Sequence, residues 1–390
     1  MSAALRRITA AERRARLGAR HRLAAGHRAA TAEEVAESLV ALHGTDPATV
    51  YLSVAARLRA PGTAEVERAL YEDGSLLRLL AMRRTMFVVT AASAPVVYAA
   101  AARAVAADER KKLLAYLAEG GGWDAAWLAD VETAALAALA ERGEATAAAL
   151  SAAEPRLREQ VVVARGKPYE ATQNVSSRIL RVLAAEGRIT RRRPAGSWTS
   201  SQYRWAVGDA LPEVPAAEAR AELVRRWLAA YGPGTEADLK WWTGWTLTHV
   251  RKALAATGAE PVTLDEGTGH VLPGDTAPPT DDAPWAALLP ALDPTPMGWQ
   301  RRDWYLPEGP DRAALFDRSG NIGPTVWWHG QVVGGWAQRA DGTIAYRVFG
   351  DPGAEAAAAI GAAAARLSGW LGDVRVTPRF RTPLERELSA

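Results

Sequence analysis

Three times within the first 275 residues, segments with helical spacing of apolar side chains give way to two short strand-like runs around a turn. Chains with that alternation form α+β folds in which helices and antiparallel hairpins pack side by side. In the first copy, Ile8 to Leu23 reads as a basic helix, and Thr31 with Glu34 forms a capping box opening the next. That second helix carries Val35, Leu39 and His43 on one stripe, with Gly44 placed to end it. Asp46-Pro47 restarts at once, an acid at the N-cap and a proline in first position, and the new helix runs to about Arg59. A helix from Thr63 to Tyr71 follows. The period then becomes strand-like from Leu76 to Val89, interrupted at Arg83-Arg84. Short helices followed by a hairpin are the outline of a winged helix, a helix-turn-helix with a β wing.

The second copy has helices at 124–141, at 144–153 and from Glu170 to Ala185, then a wing from Arg188 to Val207 turning at Pro194 to Ser197. The third has helices Ala216 to Tyr231, Thr235 to Trp242 and Thr246 to Thr257, with a wing at Val262 to Leu272. Gly274 to Pro284 reads as a linker. Beyond it, turn dipeptides separate short apolar runs at Thr325 to Trp328, Val332 to Trp336 and Ile344 to Phe349. Ala354 to Leu371 is one alanine-heavy helix and Val374 to Val376 a last strand. The domains expected are therefore 1–92, 93–213, 214–275 and 284–390.

Composition narrows the chemistry. There is no cysteine, hence no disulfide, thiol nucleophile or thiolate site, and the six histidines nowhere fall at metal-ligand spacing. The expected protein uses neither metal nor cofactor. The longest uncharged stretches, Thr85 to Ala102 and Ser319 to Gln338, are not apolar enough for a bilayer. The arginine-rich start lacks the apolar core of a secretory signal, so the expectation is a cytoplasmic protein with no membrane partner.

The net charge of +3 conceals a cluster. Arg156 to Arg204 holds eleven basic residues and three acidic ones. It covers the third helix of the second copy, with Arg178 and Arg181, and the wing, with Arg188, Arg191, Arg192, Arg193 and Arg204. A helix and wing so charged suit phosphates, with affinity gained from counterion release. Trp198 and Tyr203 on the same wing could stack on bases or pack against their own helix.

His43-Gly44-Thr45-Asp46 concentrates the reactive groups. Read from spacing, His43 closes one helix, where the negative end favours imidazolium, and Asp46 caps the next, where free amides favour carboxylate. Taken alone, such a junction is more often a core histidine beside a cap than a catalytic pair.

Leu42 to Ser53 (LHGTDPATVYLS), Ala81 to Thr85 (AMRRT), Leu292 to Trp299 (LDPTPMGW) with Arg302 to Leu306, Gly320 to Trp327 (GNIGPTVW) with Val333 to Trp336, and Pro378 to Phe380 with Thr382 to Leu384 together resemble the AlkZ/YcaQ family of winged-helix DNA glycosylases. The resemblance spans nearly the whole chain. It implies tandem winged helices cradling DNA, followed by a C-terminal β-barrel-like domain. It also implies hydrolytic removal of N7-alkylated purines from double-stranded DNA, bulky antibiotic-derived adducts among them, in base excision repair or antibiotic self-resistance. The family signature is Gln-x-Gln or Gln-x-Asp. Here His43 stands at the first Gln, Thr45 at the second, and Asp46 one residue on, a His-type variant.

On that footing His43, Asp46 and Thr45 are the expected catalytic set. The expected DNA contacts are Arg83, Arg84, Arg178, Arg181, Arg191, Arg192, Arg193, Trp198, Arg301, Arg302, Asn321 and Arg379, with help from the basic first helix. The expected protein is a monofunctional glycosylase, a monomer, acting on alkylated guanine. Its rivals are a non-catalytic winged-helix DNA-binding regulator and a protein that sequesters a DNA-reactive molecule in its tryptophan-rich C-terminal part.

Overall fold

The computed structural model describes residues 5–168, 170–280 and 283–390. Thr9 and Glu12 exchange capping hydrogen bonds ahead of α1 (Ala10–Arg20), and Thr31 accepts from the Glu34 amide ahead of α2 (Ala32–Ser38). After β1 (Leu42–His43), α3 (Pro47–Ala55) starts at the Asp46 cap. α4 (Thr63–Glu67) continues as a wider turn to Glu72 and leads into the hairpin β2 (Leu76–Leu80) and β3 (Met86–Thr90). The three strands form an antiparallel sheet of order β1-β3-β2.

α5 (Ala94–Val97) and the long α6 (Arg103–Gly121) come next, then α7 (Ala125–Arg142), β4 (Ala145–Thr146) and α8 (Ala147–Ala153). The hairpin β5 (Gln160–Val163) and β6 (Ala171–Asn174) precedes α9 (Val175–Ala185) and the second hairpin, β7 (Ile189–Pro194) with β8 (Tyr203–Val207). The third succession is α10 (Ala216–Tyr231), α11 (Glu236–Thr243), α12 (Leu247–Thr257), β9 (Glu260–Leu264) and β10 (Gly267–Val271). The last part holds β11 (Ala286–Leu289), α13 (Gly309–Ala314), β12 (Thr325–Trp328), β13 (Gln331–Gln338), β14 (Ile344–Val348), α14 (Ala354–Leu371) and α15 (Pro383–Leu388).

No closed barrel forms among the described residues. β11 to β14 make one open antiparallel sheet in that order. Ala286, Leu288, Val326 and Trp336 pack on α14, while Ala287, Leu289, Trp327 and Ala337 enter the central core together with Leu384 and Leu388 of α15. Both faces are thereby covered, so closure into a barrel is not needed to bury them. The expected strand at Val374 to Val376 is also absent. Side chains hold that segment instead: Gln338 accepts from the Val376 amide at 2.8 Å and donates to the Val374 carbonyl at 3.1 Å, and Arg375 donates to the Ala340 and Asp341 carbonyls.

Three buried clusters organise the whole. One fills the space between α2, α3 and the β2–β3 hairpin, and a second lies within residues 113–189. The central one joins Leu17 of α1, Phe87 of β3, Trp227 and Tyr231 of α10, and Trp299 and Trp327. At its edge, Arg57 and Asp293, both 0% exposed, form a bidentate pair completed by Ser53 and Thr295. Among the described residues, no helix is long and apolar enough to cross a membrane.

Candidate active site at the His43 junction

The junction is built differently from its sequence outline. α2 stops at Ser38, Val40 adopts a left-handed φ of 63°, and His43 lies in β1 opposite Phe87. The Gly44 amide donates to the Met86 carbonyl at 2.8 Å, so this glycine sits at a strand end and does not cap a helix. The expectation that a helix C-terminus charges His43 is therefore overturned. His43 is buried, edge-on to Phe87 at 5.6 Å, and burial followed by the nearby Arg83 guanidinium pushes its pKa down to about 3. It is a neutral imidazole across the physiological range, and its buried Nδ1 has no hydrogen-bond partner among the described residues.

Asp46 caps α3 as its position foretold. One carboxylate oxygen accepts from the Ala48 amide at 3.1 Å and the other from the Arg379 amide at 2.9 Å. The second bond ties the catalytic candidate to the chain's last segment, and each oxygen keeps a further lone pair for substrate or water. No direct hydrogen bond joins His43 to Asp46. Thr45, between them, is half-buried.

Arg83 faces this corner from the turn between β2 and β3, with its backbone in the left-handed region at φ 53°. Its guanidinium lies 4.0 Å from the Trp241 ring, and Arg302, reaching the same ring from the C-terminal part, lies 4.8 Å away. Burial and then repulsion from Arg302 push Arg83 down to about 10, and burial lowers Arg302 as well. Neither has a carboxylate partner among the described residues, and Arg83 Nε is buried without any acceptor. Trp241 was missed by sequence reasoning, although adjacent tryptophans on one helix signal it. Only one can face the core, and Trp242 does.

Other expected contacts have other neighbours. Arg84 pairs with Asp108 at 2.8 Å, Arg181 with Glu109 at 2.8 Å, and Arg193 with Glu67 and Glu72. Arg178 donates to Gln173, and Arg191 lies between the rings of Tyr203 and Trp205. Trp198 packs on Tyr51 and Trp370, so it is not an open stacking platform in this arrangement. Asn321 bonds Asp317 within its own turn, while Arg301 and Arg379 present exposed side chains. Arg192 of β7, and Arg165 and Lys167 at the β5–β6 turn, have no carboxylate partner among the described residues. The basic first helix turns inward instead: Arg13 pairs with Glu266, and Arg16 and Arg20 with Asp275. Beside Asp46 the fold also gathers Tyr51, Tyr71, Arg78 and Tyr203, which no local pattern marks. Arg78 bonds the Tyr71 hydroxyl and lies 5.1 Å from the Tyr203 ring, and the buried Tyr203 hydroxyl has no hydrogen-bond partner among the described residues.

The family described as DNA glycosylase AlkZ-like matches residues 36–370. This chain belongs to that family. Among solved structures, the Streptomyces sahachiroi DNA glycosylase AlkZ superposes with a TM-score of 0.70 at 21% identity, over 93% of this chain and 97% of that one. At that identity the likeness establishes a shared mixed α/β fold. No curated protein matches the chain. Residues 36–370 include the His43 junction, Arg83, Trp241 and Arg302, so the family assignment covers the corner described above.

Proposed function

We propose that this AlkZ-like protein is a monofunctional glycosylase that hydrolyses the N-glycosidic bond of N7-alkylguanine in duplex DNA. In this reading the three successions of helices and hairpin are winged helices, at 1–92, 93–213 and 214–275, with 284–390 appended. The observation that carries it is the corner at His43: a neutral buried imidazole beside two stacked, acid-free arginines, one turn of chain from a carboxylate capping α3.

An N7-alkylguanine is already cationic and leaves readily, so the enzyme's task is to stabilise an oxocarbenium-like sugar and place a water. Asp46 supplies the negative charge. His43, uncharged and too weak a base at its lowered pKa to take the proton itself, accepts a hydrogen bond from the water and orients it. Arg83 and Arg302 would oppose a sugar cation if left bare; a backbone phosphate of the lesion strand seated between them offsets their charge and fixes the nucleotide. Thr45 adds one hydrogen bond at the rim.

The test is incubation of the purified protein with a duplex containing a single N7-methylguanine, followed by alkaline cleavage. Strand scission confined to the lesion supports the reading. Tight binding to DNA with no abasic product from any N7-alkylated duplex would leave the regulator reading in its place.

A further inference from the structure

Away from the His43 corner, a half-open cleft of about 340 Å³ lies between α3, β11 and α14. Its floor is apolar, set by Leu52 and Ala55 of α3, Leu288 of β11, and Leu367 and Trp370 of α14. Three arginines stand around it: Arg28 from the loop before α2, Arg59 from the loop after α3, and Arg366, one helical turn before Trp370. Arg28 donates to the Leu58 carbonyl at 3.3 Å, and Arg59 and Arg366 are exposed. None of the three has a carboxylate partner among the described residues. Burial, and then repulsion from the nearby Arg366, lowers the Arg28 pKa. Like charges converging over an apolar floor, with no acid to offset them, form a site whose counter-charge has to come from outside.

We propose that this cleft binds a small, flat, apolar anion, a molecule with one carboxylate, sulfonate or phosphate head and an aromatic body. The body lies on Leu52, Leu288 and the Trp370 indole, and the head meets Arg59 and Arg366. The volume lies within the range of small-molecule pockets. Duplex DNA fits the charge but not the shape, because a convex sugar-phosphate rail would leave the apolar floor uncovered. The site stands apart from the glycosylase reading, since it needs neither DNA nor the reaction. The same Leu52 also lines the small cavity beneath Asp46, which places the cleft along the helix that carries the catalytic candidate.

The experiment titrates the full chain, without DNA, with 1-anilinonaphthalene-8-sulfonate and with its uncharged relative N-phenyl-1-naphthylamine. Binding is followed by probe emission and by energy transfer from tryptophan. The expected result is saturable 1:1 binding of the sulfonate, with transfer reduced in Trp370→Phe. The double variant Arg59→Glu/Arg366→Glu should weaken sulfonate binding at least about tenfold and leave the neutral probe little changed. Ala55→Trp, which fills the cleft from a half-buried helix end, should remove both while far-UV circular dichroism stays as in the parent. Equal sulfonate affinity in parent and double variant would overturn the proposal, as would binding that survives Ala55→Trp. Displacement of the sulfonate by an undamaged DNA duplex would assign the cleft to nucleic acid and also overturn it.

Discussion

At the scale of single residues, His43 carries the greatest consequence. Its place on the Val35/Leu39 stripe was legible only as a spacing, and spacing put it on a helix end with a favoured positive charge. The fold reverses that, because Phe87 and Arg83, some forty residues further along, supply the burial and the repulsion that keep it neutral. Asp46 was legible as a cap because capping is local: the Ala48 amide it accepts lies two residues on, and its other bond, from Arg379, is long-range. The single-turnover rate of base release is therefore expected to be flat from about pH 5 to 8, with no inflection near the ordinary histidine value of about 6.5. A clear rise through that value would show His43 titrating normally. Trp241→Ala should weaken DNA binding, since it removes the ring on which Arg83 and Arg302 are stacked. A stacked cation contributes about 0.5–2 kcal/mol, a loss that fluorescence anisotropy with a labelled duplex can resolve.

At the scale of elements, the helices with side-chain caps and the three hairpins could be read, and the pieces stabilised by distant partners could not. β6 falls inside the helix expected from Glu170, and its partner β5 has no counterpart in the sequence reading: α9 starts only at Val175, and residues 171–174 pair with 160–163. Val374 to Val376 looked like a strand because its composition is strand-like, yet a glutamine side chain holds it. The two strands expected between Arg188 and Val207 do pair, as β7 and β8, but the arginine triplet on β7 divides three ways. Arg191 is stacked on aromatics, Arg193 is paired with Glu67 and Glu72, and Arg192 has no acid partner among the described residues. Arg192→Ala is accordingly expected to lower the salt dependence of DNA binding by nearly one unit of slope, as loss of one phosphate contact does, about 0.9. Arg193→Ala should change the slope less, because that cation already has acids of its own. Equal effects in the two variants would contradict this division of the β7 arginines.

At the scale of the whole molecule, counting charge along the chain misled. The surplus of eight positive charges between Arg156 and Arg204 is partly met by acids outside that window, Glu67, Glu72, Glu109, Glu132 and Glu144 among them. The near-neutral total is thus a spatial pairing and only in part a separation of basic and acidic regions. Integrity across the fold rests on contacts such as Arg57–Asp293, which joins the first helices to the C-terminal part. Removing one partner leaves a buried charge, so Asp293→Ala should cost about 3–5 kcal/mol in urea unfolding. The buried histidines set an acid limit. His21 and His43 are both lowered to about 3, chiefly by burial. Their unfolded forms take up protons below about pH 6.5, while the folded protein resists uptake until near 3. Their contribution to stability is therefore full above the unfolded value and lost as pH falls through that window. Melting temperatures should drop steadily from pH 6.5 downward, and a flat profile there would contradict the buried neutral states.

The claim on which the rest depends is that His43 acts on the reaction and not on DNA binding. It is tested by measuring single-turnover base release and duplex affinity together, for the parent and His43→Ala, on DNA with one N7-methylguanine. The expected result is a fall in rate of about 10²-fold or more, as misplacement of the attacking water would cause, with the dissociation constant changed little. Unchanged release in His43→Ala, or a loss of binding as large as the loss of rate, would contradict it.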